Sequence, residues 1–146
     1  MSTPRFFADD AEIAHVGEGL LARTLPRAKW THEAHLAATC WLLRMRPDID
    51  ADAEIAGIIS GYNLAAGGVN DDHHGYHDTI TRCFLAGARA HFAGRPNGEP
   101  LVDSVNALLT TPAGARDWPL RFYSGKRLFS VQARRGFIAP DRAPLP

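Results

Sequence analysis

Two short windows hold five of the seven histidines in the chain. His32 and His35 lie in Trp30-Thr31-His32-Glu33-Ala34-His35-Leu36, and His73, His74 and His77 lie in Asp72-His73-His74-Gly75-Tyr76-His77-Asp78. On a helix, residues three apart sit about 60° apart around the axis and about 4.5 Å along it, so His32 and His35 can address one point. Neutral imidazole suits zinc, nickel, copper and iron, and three imidazoles around an open position form a catalytic site for a divalent transition metal. The expected ligands are His32, His35 and His77, with His73 or His74 completing the set or replacing a member. Glu33 and Asp78 are then candidates for the base that deprotonates a metal-bound water, with Tyr76 beside them. Tyr62 and Asn63 are candidates for orienting a substrate oxygen, and Arg134 or Arg135, if the tail folds over the site, for a bidentate contact to an anion. The reaction expected of such a site is hydrolytic, on a small substrate. Helix N-termini beside the metal would favour a carboxylate or phosphate group over an amine.

The same residues have quieter uses. Glu33 and Asp78 also suit the first turn of a helix by complementing its dipole, and paired histidines can be hydrogen-bonded groups with no metal. A metal-free domain that grips a small ligand, or an interaction partner, through a histidine cluster is therefore the alternative reading. A third reading, a di-iron bundle, draws on Glu12 with His15 and Asp71 with His74. Only five glutamates are present and no Glu-x-x-His pair is repeated, which weighs against it. Tyr62 and Tyr76 are equally at home as packing residues, and His15 and His91 are assigned to structure.

Helices must position these groups. A first helix is expected over about residues 9–24, from the spacing of Ile13, Val16, Leu20 and Leu21 behind Asp9 and Glu12. Thr31 reads as the N-cap of a second, whose body from Leu36 to Met45 is apolar nearly all round and is stopped by Pro47. The third runs from Asp50 to Gly67-Gly68. A fourth carries Tyr76, Ile80, Cys83 and Phe84 to Gly94, with His77 in its first turn. Pro100 opens a shorter fifth helix. Beyond Pro112 the pattern weakens, with Ser124 or Ser130 capping one or two short helices ahead of a Pro-rich tail. Leu128, Phe129, Phe137 and Ile138 are together too apolar to be left in water, so the tail is expected to be docked. The fold class expected is all-α: a four-helix bundle-like core with a fifth helix and an irregular C-terminal cover. Residues 1–146 form one domain, with the cover over about 112–146. In an up-down-up-down bundle the second and fourth helices place their N-terminal ends on one rim, which would bring His32, His35 and His77 together.

The WTHEAHL segment, GYHDT with Thr81 after it, the Tyr62-Asn63 pair and the tail LFSVQARRGFIAPDRAPLP resemble a family of small bacterial helical proteins of uncharacterised function. The likeness covers most of the chain. One departure is Asp78, where the family segment reads GYHET; the shorter carboxylate has less reach. In architecture and histidine content the chain is more loosely similar to DinB-like four-helix bundles, which implies a metal held by three histidines.

Composition narrows the classes. Apolar residues at 45% and charged residues at 22% are globular usage, and the net charge of zero argues against a nucleic-acid partner. A C-terminal basic set, Arg116, Arg121, Lys126, Arg127, Arg134, Arg135 and Arg142, is expected to be a solvated face paired with the acidic start Asp9, Asp10, Glu12 and Glu18, with an anion-binding patch as the alternative. Cys40 and Cys83 sit in apolar helical patterns and read as buried free thiols. With no apolar run long enough for a signal peptide or a membrane span, a cytoplasmic protein is expected.

Overall fold

The computed structural model describes residues 3–146, and these are all-helical, with seven α-helices and no strand among them. Short polar side chains fix where most of the helices begin. In α1 (Asp10–Ala22), Asp9 accepts the Glu12 N–H at 2.9 Å while Glu12 accepts the Ala8 N–H at 3.1 Å, a reciprocal cap. Thr31 caps α2 (His32–Met45) by accepting the Ala34 N–H at 3.1 Å, and Asp50 caps α3 (Ala51–Ala65). In α4 (Asp78–Ala93) the capping group is His77, so the helix starts later than its apolar pattern suggests. Pro100 precedes α5 (Leu101–Leu109), and Ser124 and Ser130 cap the short α6 (Gly125–Leu128) and α7 (Val131–Arg135).

Helix α2 is the axis of the packing. Ala37, Cys40, Trp41 and Leu42 on it are buried against Ile13 of α1, Ala88 of α4 and Leu101, Val105 and Leu108 of α5. Gly17 makes the closest of these approaches possible: a Cβ there would lie 2.2 Å from Cε3 of Trp41. The shorter α5 thus reaches the same core as α2 and goes further in than a cover would. Helix α3 leans on α1, with Tyr62 buried among Val16, Leu20 and Leu25.

The C-terminal third docks on α4. Phe122, Tyr123 and Leu128 bury against Cys83, and Asp141 accepts from the Ser124 backbone and hydroxyl, both at 2.7 Å. Of the four apolar residues expected to be covered, Leu128 is buried and Ile138 half-buried, but Phe129 and Phe137 stay 65% and 47% exposed. The tail is held by Leu128 and by hydrogen bonds, so it docks without those two rings. The C-terminal cations also find other partners than the acidic start: Arg135 pairs with Asp72 at 2.7 Å, Arg142 donates to the Leu120 carbonyl and Arg127 to that of Ala139. Both cysteines are buried and unbonded, as expected, and burial pushes each thiol up to about 12. No described helix is long and apolar enough to cross a membrane.

Candidate functional site

The N-terminal ends of α2 and α4 meet at one rim, around a cleft of about 360 Å³. Trp30, Thr31, His32 and His35 line it from the α2 side, and Tyr76, His77, Ile80, Thr81 and Phe84 from the α4 side. Asn63 and Ile59 of α3, Gly75 and Arg116 complete the wall. The first turn of α2 thus brings both of that helix's histidines to one cavity, in keeping with their spacing of three.

The three imidazoles differ in what their ring nitrogens are already doing. Nε2 of His77 lies 2.8 Å from the Leu128 carbonyl, which can only accept, so Nε2 carries the proton. The Ile80 N–H donates to Nδ1 at 3.1 Å, which uses the remaining lone pair. Burial holds this ring below the usual histidine pKa, and the nearby Arg134 charge adds to that. His77 is therefore a neutral helix cap with no free lone pair, which removes it from the expected metal ligands. His32 donates from Nε2 to the Gly114 carbonyl at 2.8 Å, its ring edge-on to Phe84 with centroids 5.4 Å apart, and keeps Nδ1 as an acceptor. His35 has its ring against Trp30, with centroids 5.2 Å apart. Neither of its ring nitrogens is hydrogen-bonded to a described residue. Burial first, and His32 second, push its pKa down to about 4, so it is neutral at pH 7.

The other two histidines of the second window, His73 and His74, do not line the cleft. His73 is exposed in the loop ahead of α4, and only its backbone N–H is held, by Asp71 at 2.9 Å. His74 places Nδ1 3.0 Å from the same Asp71 carboxylate on the surface. Among the described residues no three His, Cys, Asp or Glu side chains are gathered to hold a metal, so neither the three-histidine centre nor the di-iron set is assembled.

The proposed acid–base groups are also placed elsewhere. Glu33 lines a separate recess with Arg5, Glu12 and His15, because a helical neighbour of His32 points about 100° away from it. Asp78 is buried, accepting from the Tyr76 hydroxyl at 2.7 Å and from Arg82 Nε at 3.0 Å. Tyr76 lines the cleft, but burial and that carboxylate raise its pKa and keep its proton in place. The Tyr62 hydroxyl is turned into the core toward the Leu25 carbonyl at 2.8 Å. Asn63 does reach the cleft wall, yet its amide donates to Val69 O and to Asn70, pinning the loop that carries Gly75 and Tyr76. Arg134 clamps the same loop through the Gly75 carbonyl at 2.8 Å rather than offering its fork to a ligand.

Arg116 is the site residue that the reading of the sequence placed only among the general basic residues. It is exposed at the cleft and makes no ion pair with a described residue. No carboxylate lines the cleft, so its charge is left uncompensated there. The arrangement combines one cation, the neutral His35 imidazole, the His32 ring and an apolar wall, and can bind an anion by charge-assisted hydrogen bonds. No known family, no curated protein and no solved structure matches this chain.

Proposed function

We propose that the protein binds a small anionic, oxygen-bearing molecule in the cleft between the N-terminal ends of α2 and α4, without a metal. One observation carries this reading: a cleft with no lining carboxylate opens onto an unpaired guanidinium and an imidazole whose ring nitrogens are both unspent. A neutral His35 offers one donor and one acceptor, Nδ1 of His32 adds an acceptor, and Arg116 supplies the charge. With a pKa of about 4, His35 serves as a hydrogen-bonding group at pH 7 and is a poor store for a catalytic proton. Titration calorimetry against small carboxylates, phosphate and matched amines tests the reading. Acids are expected to bind, amines are not, and Arg116→Ala or His35→Ala is expected to weaken acid binding tenfold or more. Equal binding of amines would overturn it.

A metal-dependent enzyme remains as a second reading on one specific observation. His32 donates its Nε2 proton to a backbone carbonyl, which is how metal-bound imidazoles are commonly oriented, and it lines the cleft together with the unspent His35 ring. Two such rings would hold zinc, nickel, copper or iron with the other positions open to water or substrate. No carboxylate lines the cleft to take a proton from bound water, which counts against hydrolysis by the base proposed from sequence. Elemental analysis of tag-free protein reloaded with each metal tests it. Retention of about one metal per chain, lost in His32→Ala and His35→Ala, would support this reading, and no retention after desalting would end it.

A further inference from the structure

We infer that the ligand is a hydrophobic monocarboxylate, a single planar carboxylate on an apolar body of about one ring; this rests on the anion-binding reading above. Arg116 is the only Lys or Arg among the lining residues, and Asp and Glu are missing from them. One negative charge is therefore matched, whereas a second charge on a dicarboxylate or phosphate dianion would find no second Lys or Arg on the wall. The guanidinium fork fits a planar carboxylate through two parallel N–H bonds, a geometry a tetrahedral phosphate shares only in part.

The rest of the wall sets the body of the molecule. Trp30, Ile59, Ile80 and Phe84 bring apolar surface to the cleft. Their positions are fixed from behind: Trp30 packs on the buried Tyr62 with ring centroids 5.3 Å apart, and Phe84 is buried with Leu36 and Leu109. A preformed apolar wall gains from an apolar ligand without first having to order itself. At about 360 Å³ the cleft stands at the small end of ligand cavities, which suits a single-ring acid. The neutral His35 imidazole adds uncharged hydrogen-bonding groups and so does not raise the charge the site can accept.

Titration calorimetry of the full chain at pH 7 with phenylacetate, acetate, succinate, inorganic phosphate and phenethylamine tests the inference. Phenylacetate is expected to bind at least tenfold more tightly than acetate, because the ring leaves water for the apolar wall. Succinate and phosphate are expected to bind no better than acetate, and phenethylamine not to bind. Arg116→Gln, a change at an exposed residue, should lower phenylacetate affinity at least tenfold with an unchanged melting temperature. Succinate or phosphate binding more tightly than phenylacetate would overturn the monocarboxylate assignment and leave the anion-binding reading standing. Phenethylamine binding as well as phenylacetate, no binding of any acid, or acid binding indifferent to Arg116→Gln would overturn both.

Discussion

Replacing His77 separates a helix cap from a metal ligand. In His77→Ala, the Ile80 N–H loses its acceptor, which costs about 1 kcal/mol for a cap. The carbonyl of the buried Leu128 also loses its donor, at a cost of about 1 to 3 kcal/mol for an unsatisfied buried group. The sum is about 2 to 4 kcal/mol. An unfolding entropy of about 2 cal/mol/K per residue over 146 residues makes each kcal/mol worth about 3 °C, so the melting temperature should fall by roughly 6 to 12 °C. His77→Asn keeps an oxygen that can accept the Ile80 N–H and should recover about 1 kcal/mol of this, or about 3 °C. Calorimetric melting of both variants, with hydrogen exchange at Ile80 as the local readout, measures the effect. The cap argument is refuted if His77→Ala melts with the wild type, and a variant that keeps its stability but loses a bound metal would restore His77 as a ligand.

His35 should make stability depend on pH. Its folded pKa of about 4 lies below the unfolded value near 6.5, so the unfolded chain binds the extra proton; the stabilisation is intact above pH 6.5 and is lost as pH falls toward 4. Allowing for the partial exposure of the ring, the loss is about 2 to 3 kcal/mol, and denaturant midpoints at pH 7 and pH 4.5 should differ less in His35→Gln than in the wild type. Gly17→Ala, a change that gains up to about 1 kcal/mol in an ordinary helix, should here destabilise by about 1 to 3 kcal/mol, because the new Cβ meets Trp41 at 2.2 Å; a variant more stable to urea would contradict the α1–α2 packing. Cys40 and Cys83, both fully buried with thiols at about 12, should resist iodoacetamide in the native protein at pH 8 and react fully in denaturant; rapid native labelling would contradict their burial.

What the sequence disclosed was local. Asp9, Thr31, Asp50, Ser124 and Ser130 cap helices because an acceptor on a short side chain reaches the next free N–H whatever the rest of the chain does. The shared rim of α2 and α4 was legible for a similar reason, since the spacing of His32 and His35 is a property of one helix. Glu33 could have been set aside on the same geometry: a residue adjacent to His32 does not share its face. Tyr62 and Asn63 part company in the same way, one into the core and one onto the loop. His77 was not legible as a cap. An imidazole accepts from an N–H only once its tautomer is fixed, and the carbonyl that fixes it belongs to Leu128, far along the chain. Arg116 gave no signal either, because it lies in a weakly patterned segment and its place at the cleft depends on how that segment docks.

The C-terminal cover therefore does more than exclude water from α4. Its backbone carbonyls decide which nitrogen of two histidines carries the proton, through Gly114 for His32 and Leu128 for His77. The first of these depends on a glycine: a Cβ at position 114 would lie 2.3 Å from the Leu108 carbonyl, so any side chain there would push the turn, and its own carbonyl, away from His32. Three residues of one type consequently meet three fates at one rim. His77 has both ring nitrogens engaged, His32 has one, and His35 has none, which leaves a ligand three nitrogens of the six. Two of those three belong to the neutral His35 ring, which does not neutralise an incoming anion at pH 7, and the charge is assigned to Arg116. Binding should for that reason stay flat from pH 7 to pH 9, well above the value of about 4 at which His35 gains a proton, and calorimetric titrations with phenylacetate across that range measure it. Affinity that rises steeply as pH falls from 9 to 7 would mean that a histidine carries the positive charge, and would replace Arg116 as the group that selects the anion.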